Sequence, residues 1–336
     1  MIIEASSPVR IDLAGGAFDV LPLYLFEGGG VTVNIGIDIR TEVRLETRDD
    51  AEIHLRSVDL DITERAKDAD SLDVNSELGF VARIVKFYKP ATGLNVTTKI
   101  DFPKGSGLGT SSSLLISLSG ALNELNKTGY TAEKLIDYGA NIEAASLLVP
   151  TGKQDYFGAY YGWFNAIWSE VAGCRNEKIS ISEQRADELN ERIVLSFAGR
   201  PRFSGATNWE LVKGYIDDVA QTRQVLRNIR KTGFEMYECL KQGAETHRFV
   251  ELLRQEWENR KRCAEGVTNP DIEKIIALAE KSGALANKLC GAGGGGCMIS
   301  FVEPENREKV IKTLEGAGAR HMPYRIAREG LRVTRL

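Results

Sequence analysis

From Asn95 the chain alternates polar and apolar residues up to Phe102, breaks at Pro103, and reads Lys104-Gly105-Ser106-Gly107-Leu108-Gly109-Thr110-Ser111-Ser112-Ser113 before an apolar, helix-periodic segment opens at Leu114. This stretch narrows the choice of folds more than any other. A strand must end, a tight loop must form on glycines that tolerate positive φ, and a helix must start immediately afterwards. Four hydroxyl residues at the helix start leave free backbone N–H groups and the positive end of the helix dipole facing the loop. That arrangement suits a polyphosphate. A serine-capped turn would account for one glycine; three glycines with four hydroxyls argue for phosphate.

Two commoner phosphate loops are excluded. A Gly-x4-Gly-Lys-Ser/Thr loop needs lysine after its last glycine, and Gly109 is followed by Thr110. A dinucleotide fingerprint would need its third glycine at Thr110. The run Gly291-Ala-Gly293-Gly294-Gly-Gly296 does satisfy Gly-x-Gly-x-x-Gly, but a helical pattern precedes it and the strand-like Cys297–Val302 follows. That order is the reverse of the one a dinucleotide site requires.

Elsewhere the pattern predicts strands or a hairpin over 30–46, another strand over 52–62, and helices over 114–127 and 131–149. Residues 193–198 read as a buried strand, 209–265 as long charged helix. The end reads as helix 270–286, strand 297–302, helix 305–315 and strand 322–328. Strands followed by helices, twice over, predict an α+β protein in two lobes, 1–192 and 193–336.

The chain has 336 residues, 43% hydrophobic and 27% charged, with a net charge of −4 of interspersed sign. It offers no electrostatic footprint for nucleic acid or an anionic membrane, no apolar run of about 18 residues, and no signal-peptide pattern. Five scattered cysteines without Cys-x-x-Cys predict reduced thiols and a cytoplasmic protein. His54, His247 and His321 lack zinc-site spacing, and the Gly-x-Ser-x-Gly elbow of a serine hydrolase is missing.

Three further segments stand out. In Arg10-Ile-Asp-Leu-Ala-Gly15-Gly16-Ala-Phe-Asp19 a strand runs into paired glycines and a carboxylate at a tight turn, which reads equally as a simple turn. Glu143 and Gly152-Lys153-Gln-Asp155 close one helix with a charged, glycine-containing loop; a solvated loop is the alternative. Five glycines in the six residues 291–296 cost backbone entropy and favour close approach of backbone to a ligand.

Together with the loop at 105–113, these segments resemble, in order and spacing, the GHMP kinase superfamily of galactokinase, homoserine, mevalonate and phosphomevalonate kinases. The finer pattern (Arg10, Leu13-Ala-Gly-Gly16, Asp19, Gly152-Lys-Gln-Asp155, Gly199, Arg202-Phe-Ser204, Lys288, Gly291-Ala-Gly-Gly) is similar to the D-glycero-D-manno-heptose 7-phosphate kinase branch. Fucose kinases share Arg10-Ile-Asp-Leu-Ala-Gly-Gly16. The chain departs from the branch at Ala17-Phe18, Tyr156 and Trp163, all near the expected sugar, and lacks the Glu-His pair of galactokinases at Gly16-Ala17.

The resemblance implies an amino-terminal lobe like the second domain of ribosomal protein S5 and a ferredoxin-like carboxy-terminal lobe, with the site between them. It implies ATP held by Lys104 and residues 105–113, and Mg²⁺ held by Ser111 or Ser112 and by Glu143. It further implies a base at Asp155 kept ionised by Arg10 and Lys153. Gly15, Gly16, Asp19, Gly293 and Gly294 would meet the sugar, and Arg202, with Arg200 as a second candidate, a phosphate already on it. The expected activity is ATP- and Mg²⁺-dependent phosphorylation of a sugar or sugar phosphate, at the anomeric hydroxyl of a heptose 7-phosphate. A fucose-type free-sugar kinase and a non-catalytic nucleotide- or sugar-binding regulator remain as alternatives. An acid kinase is disfavoured because Asp19 would repel an acid substrate. Monomer and homodimer are both left open.

Overall fold

The computed structural model describes residues 1–102, 105–199, 204–243 and 245–336, without the side chains of 204–207. Lys104, Arg200 and Arg202 therefore lie outside the described residues. Two sheets organise the chain. The first is built on β1 (Ile2–Ala14) and β2 (Gly30–Thr47), which pair antiparallel along most of their length. Beyond β2 come β3 (Ile53–Ser57), β4 (Ile62–Ala66), β5 (Leu94–Ile100), β6 (Phe164–Glu170) and β7 (Gly173–Lys178). The second half of β2 pairs with β5 and its first half with β6. β3 lies parallel to β5, and the remaining pairs of this sheet are antiparallel.

The second sheet begins with β8 (Ile193–Phe197) and adds β9 (Ala284–Leu289), β10 (Cys297–Val302) and the two-residue β11 (Arg320–His321), in the order β11-β8-β10-β9. The last strand, β12 (Arg332–Arg335), returns to the first sheet beside β1.

The helices are α1 (Leu23–Phe26), α2 (Gly79–Tyr88), α3 (Thr110–Asn126), α4 (Ala132–Leu147), α5 (Gln154–Tyr161), α6 (Glu183–Arg192), α7 (Ser204–Asp217), α8 (Thr222–Lys241), α9 (Thr246–Arg260), α10 (Pro270–Ser282) and α11 (Arg307–Gly316). One apolar cluster joins the first sheet to the helices α2–α5. A second joins Ile11, Val33 and Phe164 of the first sheet to Met236 of α8, Phe249 of α9 and Ile299 of the second sheet, so the two sheets share a core.

That double covering explains the pattern of β2. Its alternating Val31, Val33, Ile35 and Ile37 predict a half-buried strand, yet Thr32 and Asn34 between them are buried as well. Both faces of this half are covered, while the exposed half of the strand keeps its alternation. Three expectations are corrected. The helix expected over 270–286 stops at Ser282, because Gly283 at φ +117° caps it and Ala284–Leu289 then forms β9. The strand expected over 322–328 reduces to Arg320–His321 and a single bridge from Ile326 to Ile37. The segment 209–265 divides into α7, α8 and α9.

Candidate active site

Period-two alternation along β1 sends Val9, Ile11 and Leu13 to the core and sets Arg10 and Asp12 on the same side of the strand. Arg10 is buried, and its Nε and Nη2 donate to one oxygen of Asp155, at 2.8 and 2.5 Å. Its Nη1 donates to the Gly107 carbonyl at 2.6 Å, and its backbone N–H to the Leu108 carbonyl. Burial works against the Arg10 charge, but Asp155 and Asp12 outweigh it and hold the guanidinium more firmly protonated than usual. A single arginine thus joins β1, the glycine loop and the carboxylate of Asp155.

Asp155 stands in the first turn of α5, where an acidic side chain also meets the positive end of the helix dipole. Burial pushes its carboxyl above the ordinary range, opposed by Arg10. The carboxylate packs on Gly109, the residue before α3. A Cβ on Gly109 would come within 2.8 Å of Asp155 Cβ and Cγ, and its φ of +76° is itself unfavourable for a side chain. The first-turn N–H groups of Thr110, Ser111 and Ser112 meet no protein acceptor among the described residues, so an anion can use them.

Glu143 on α4 faces this helix start. Ser111 Oγ donates to its Oε1 at 2.5 Å and Ser112 Oγ to its Oε2 at 3.2 Å; the Tyr156 hydroxyl donates to Oε2 too. Burial raises the Glu143 carboxyl, against the donors Ser111 and Tyr156. Of the two serines proposed for a metal, Ser111 is exposed and Ser112 is buried behind Glu143. Ser111 and Glu143 could supply oxygen ligands of the kind Mg²⁺ prefers. Among the described residues no group of three or more His, Cys, Asp or Glu side chains could hold a metal. A Mg²⁺ bound largely by phosphate oxygens and water does not require one.

Asp19 reaches the start of α5 from the turn after β1. Its Oδ2 accepts the Gln154 N–H at 2.8 Å, while its buried Oδ1 has no hydrogen-bond partner. Burial raises its carboxyl, the Gln154 N–H opposing. An unpartnered buried acceptor is the position where a substrate hydroxyl could donate.

Other expected site residues make contacts of their own, and Lys153 and Ser113 turn away from the constellation. Lys153 does not join Asp155; its ammonium pairs with Asp137 at 2.6 Å. The Ser113 hydroxyl turns inward, to the Ser7 carbonyl and Thr41, and its N–H already bonds the Gly109 carbonyl. Leu108 is a core side chain, and Ser106 Oγ pairs with Thr110 Oγ1. Gly15 packs against β2 at Val31 and against Gly233 of α8, whereas Gly16 faces Arg260, Asp12 and Gln154. Gly293 and Gly294 pack on Val267, whose carbonyl takes the Gly294 N–H at 2.7 Å.

One residue that sequence reasoning passed over, Arg260, and one it named only within the branch pattern, Lys288, belong beside the site. Arg260 of α9 donates to the Gly16 carbonyl at 3.3 Å and to the Gly291 carbonyl at 3.1 Å, bridging the two glycine turns. Lys288, buried on β9, donates to Asp12 Oδ2 at 2.6 Å, and the Gly291 N–H donates to Asp12 Oδ1 at 2.8 Å. Burial alone would push the Asp12 carboxyl up, but Lys288 and Arg10 hold it down at about 2.

Residues 78–163 match the GHMP kinases N terminal domain and residues 239–320 the GHMP kinases C terminal domain. The chain is 28% identical to a D-glycero-alpha-D-manno-heptose 7-phosphate kinase of Campylobacter jejuni, over 99% of both proteins. It is 27% identical to an L-fucokinase/L-fucose-1-P guanylyltransferase of Bacteroides fragilis, over 99% of this chain and 38% of that longer protein. Among solved structures, a D-glycero-D-manno-heptose 1-phosphate kinase from Bacteroides thetaiotaomicron shares the fold, with a TM-score of 0.78, 23% identity and 99% of each chain covered. The two matched domains, in order and carrying the glycine loops with Glu143 and Asp155, identify the chain as a kinase that belongs to the GHMP kinase superfamily.

Proposed function

We propose that the protein transfers the γ-phosphoryl group of ATP, with Mg²⁺, to the anomeric hydroxyl of a phosphorylated heptose, a heptose 7-phosphate. The observation that carries this reading is the Asp155 carboxylate, bound by Arg10 and packed on Gly109 where α3 opens its N–H groups. Base, cation and phosphate cradle meet at one point. The likeness to the heptose phosphate kinase supports the sugar class.

In this reading the α3 start and Ser111 hold the nucleotide phosphates, and Glu143 with Ser111 would hold Mg²⁺, which when bound neutralises charge on the phosphates. Asp19 Oδ1 accepts a sugar hydroxyl. Asp155 takes the proton of the attacking hydroxyl as that oxygen bonds to phosphorus and ADP leaves. Arg10 keeps Asp155 ionised and lies beside the developing charge. Residues 1–192 form the nucleotide-binding lobe and 193–336 the second lobe, a division supported by the second sheet starting at Ile193, with β12 returning to the first sheet. The five cysteines, all unpaired, support a reducing cytoplasm. No helix among the described residues is long and apolar enough to cross a membrane.

The test is ATP turnover across free and phosphorylated hexoses and heptoses, with NMR of the product. Arg202 is the candidate for the phosphate already on the substrate. Losing a bidentate arginine–phosphate contact costs about 1.5–3 kcal/mol, or roughly 10- to 150-fold in kcat/KM. A heptose 7-phosphate is therefore expected to exceed the free sugar by about that factor, and Arg202→Ala to erase most of the preference. Equal kcat/KM for both would overturn the heptose phosphate assignment and favour a fucose-type kinase.

A further inference from the structure

Tyr156 follows the base in sequence and is fully buried. Its ring fits against α4 because residue 139 is glycine: a Cβ there would lie 3.2 Å from Tyr156 Cε1. Its hydroxyl donates to Glu143 Oε2. The same oxygen accepts Ser112 Oγ at 3.2 Å, whereas Oε1 accepts Ser111 Oγ at 2.5 Å. Each carboxylate oxygen has about two lone-pair sites. Tyr156 and Ser112 occupy both sites on Oε2, leaving one on Oε1, next to the exposed Ser111.

We propose that Tyr156 is a positioning residue for a divalent cation. By binding Oε2 from the buried side it fixes the rotamer of Glu143, so that Oε1 is the oxygen offered to the metal beside Ser111. Because Tyr156 and Asp155 share the first turn of α5, the same helix sets the base and the metal-binding carboxylate. The inference rests on Glu143 being a metal ligand, as in the kinase reading above. It goes beyond that reading by giving the metal's orientation to a residue that touches neither metal nor substrate. Partners that orient a metal ligand are worth about 10- to 100-fold in metal affinity.

The test is Mn²⁺ binding to the full chain in the presence of ADP, followed by electron paramagnetic resonance, with ADP affinity in metal-free buffer and melting temperature measured alongside. Tyr156→Phe should weaken Mn²⁺ binding about tenfold while ADP affinity without metal stays within about twofold. A second variant, 3-fluorotyrosine at position 156, keeps the ring and hydroxyl and should bind Mn²⁺ within about twofold of the parent. Unchanged Mn²⁺ affinity in Tyr156→Phe, with a loss in Glu143→Gln, overturns the role of Tyr156 and leaves the kinase reading intact. No loss in Glu143→Gln either overturns the metal assignment itself. An equal loss in the phenylalanine and fluorotyrosine variants would show that ring packing, not the hydroxyl, sets the affinity, and would likewise overturn the proposal.

Discussion

The two glycine-rich loops look alike on paper and do different work. In the first, residues 105–109, the backbone turns so that the N–H groups of Thr110, Ser111 and Ser112 stay free at the mouth of α3. In the second, residues 291–296, some of the backbone groups bond to the rest of the protein. Gly291 N–H goes to Asp12 and Gly294 N–H to Val267, while the Gly296 carbonyl takes the Ala198 N–H. The second loop also lies directly on the first: a Cβ on Gly291 would meet the Gly107 carbonyl at 2.8 Å, and one on Gly296 the Ser106 carbonyl at 2.6 Å. Glycine serves the first loop by exposing donors and the second by letting two backbones touch. The second loop is the floor on which the first rests.

The largest effect is expected at the first loop's partner. Asp155→Asn removes the carboxylate proposed as the base and should lower kcat by about 10²–10⁴ while ATP affinity stays within a few-fold. Near-parental turnover would mean that the cradle acts by positioning alone, with no base.

The comparison itself is sharpened by a pair of alanines. Gly109→Ala would drive a methyl into Asp155 at φ +76°, so kcat should fall at least about tenfold, beyond the stability that any alanine loses at such a φ. Gly296→Ala, at φ +82° and against a backbone carbonyl that cannot swing away, should cost about 2 kcal/mol or more, a drop of several degrees in melting temperature. Folded Gly296→Ala should keep most of its kcat. The reverse pattern would break the distinction between cradle and floor.

A subtler effect is a shift in pH dependence. Burial raises the Asp155 carboxyl and Arg10 lowers it. With Asp155 as the proposed base, the acid limb of kcat/KM should report its protonation, with activity lost as pH falls through it. In Arg10→Gln the opposing charge is gone, so the limb should move to higher pH, in addition to any loss of rate. A limb that stays in place would assign it to another group.

Much of the site was legible in the sequence because its chemistry is local. Glycines followed by hydroxyls mark a helix start, and Asp155 belongs to the short run Gly152-Lys-Gln-Asp155, while Glu143 is marked through the family resemblance by its place a dozen residues before that aspartate. What stayed hidden depends on which face of an element is buried. Glu256 and Arg260 sit in a charged helical stretch that reads as solvated. Yet Phe249, Leu253, Trp257 and the two charges share one helix face, at offsets of 4, 7, 8 and 11 from Phe249, and that phase was the available signal. Ser113 was misread for the same reason: its residue type fits the cradle, but one step along α3 turns its hydroxyl to Ser7 and Thr41. The division at Ser282 was missed because Ala284–Leu289 follows an apolar helix without any change in composition, and only Gly283 marks the stop.

The smallest expected effect concerns the support of the second loop. Glu256 is fully buried on α9, one turn before Arg260, and neither of its oxygens meets a donor in hydrogen-bonding geometry among the described residues. Burial pushes its carboxyl up to about 7, against the pull of Lys288 and Arg260. The folded protein therefore binds this proton more tightly than the unfolded chain. The stabilisation is complete below the ordinary glutamate range, near 4.5, and is lost as pH rises through about 7. Glu256→Gln keeps the shape and cannot ionise. Its melting temperature relative to the parent should rise between about pH 5 and pH 7 and level off above, by roughly a few degrees at the alkaline end. Its kcat at pH 7 should stay within about twofold, because the cradle keeps all its donors. A difference in melting temperature that is flat across pH would show that Glu256 stays ionised in the fold. A large loss of kcat would show that the floor beneath the second loop takes part in the chemistry, and the contrast between the two loops would then fail.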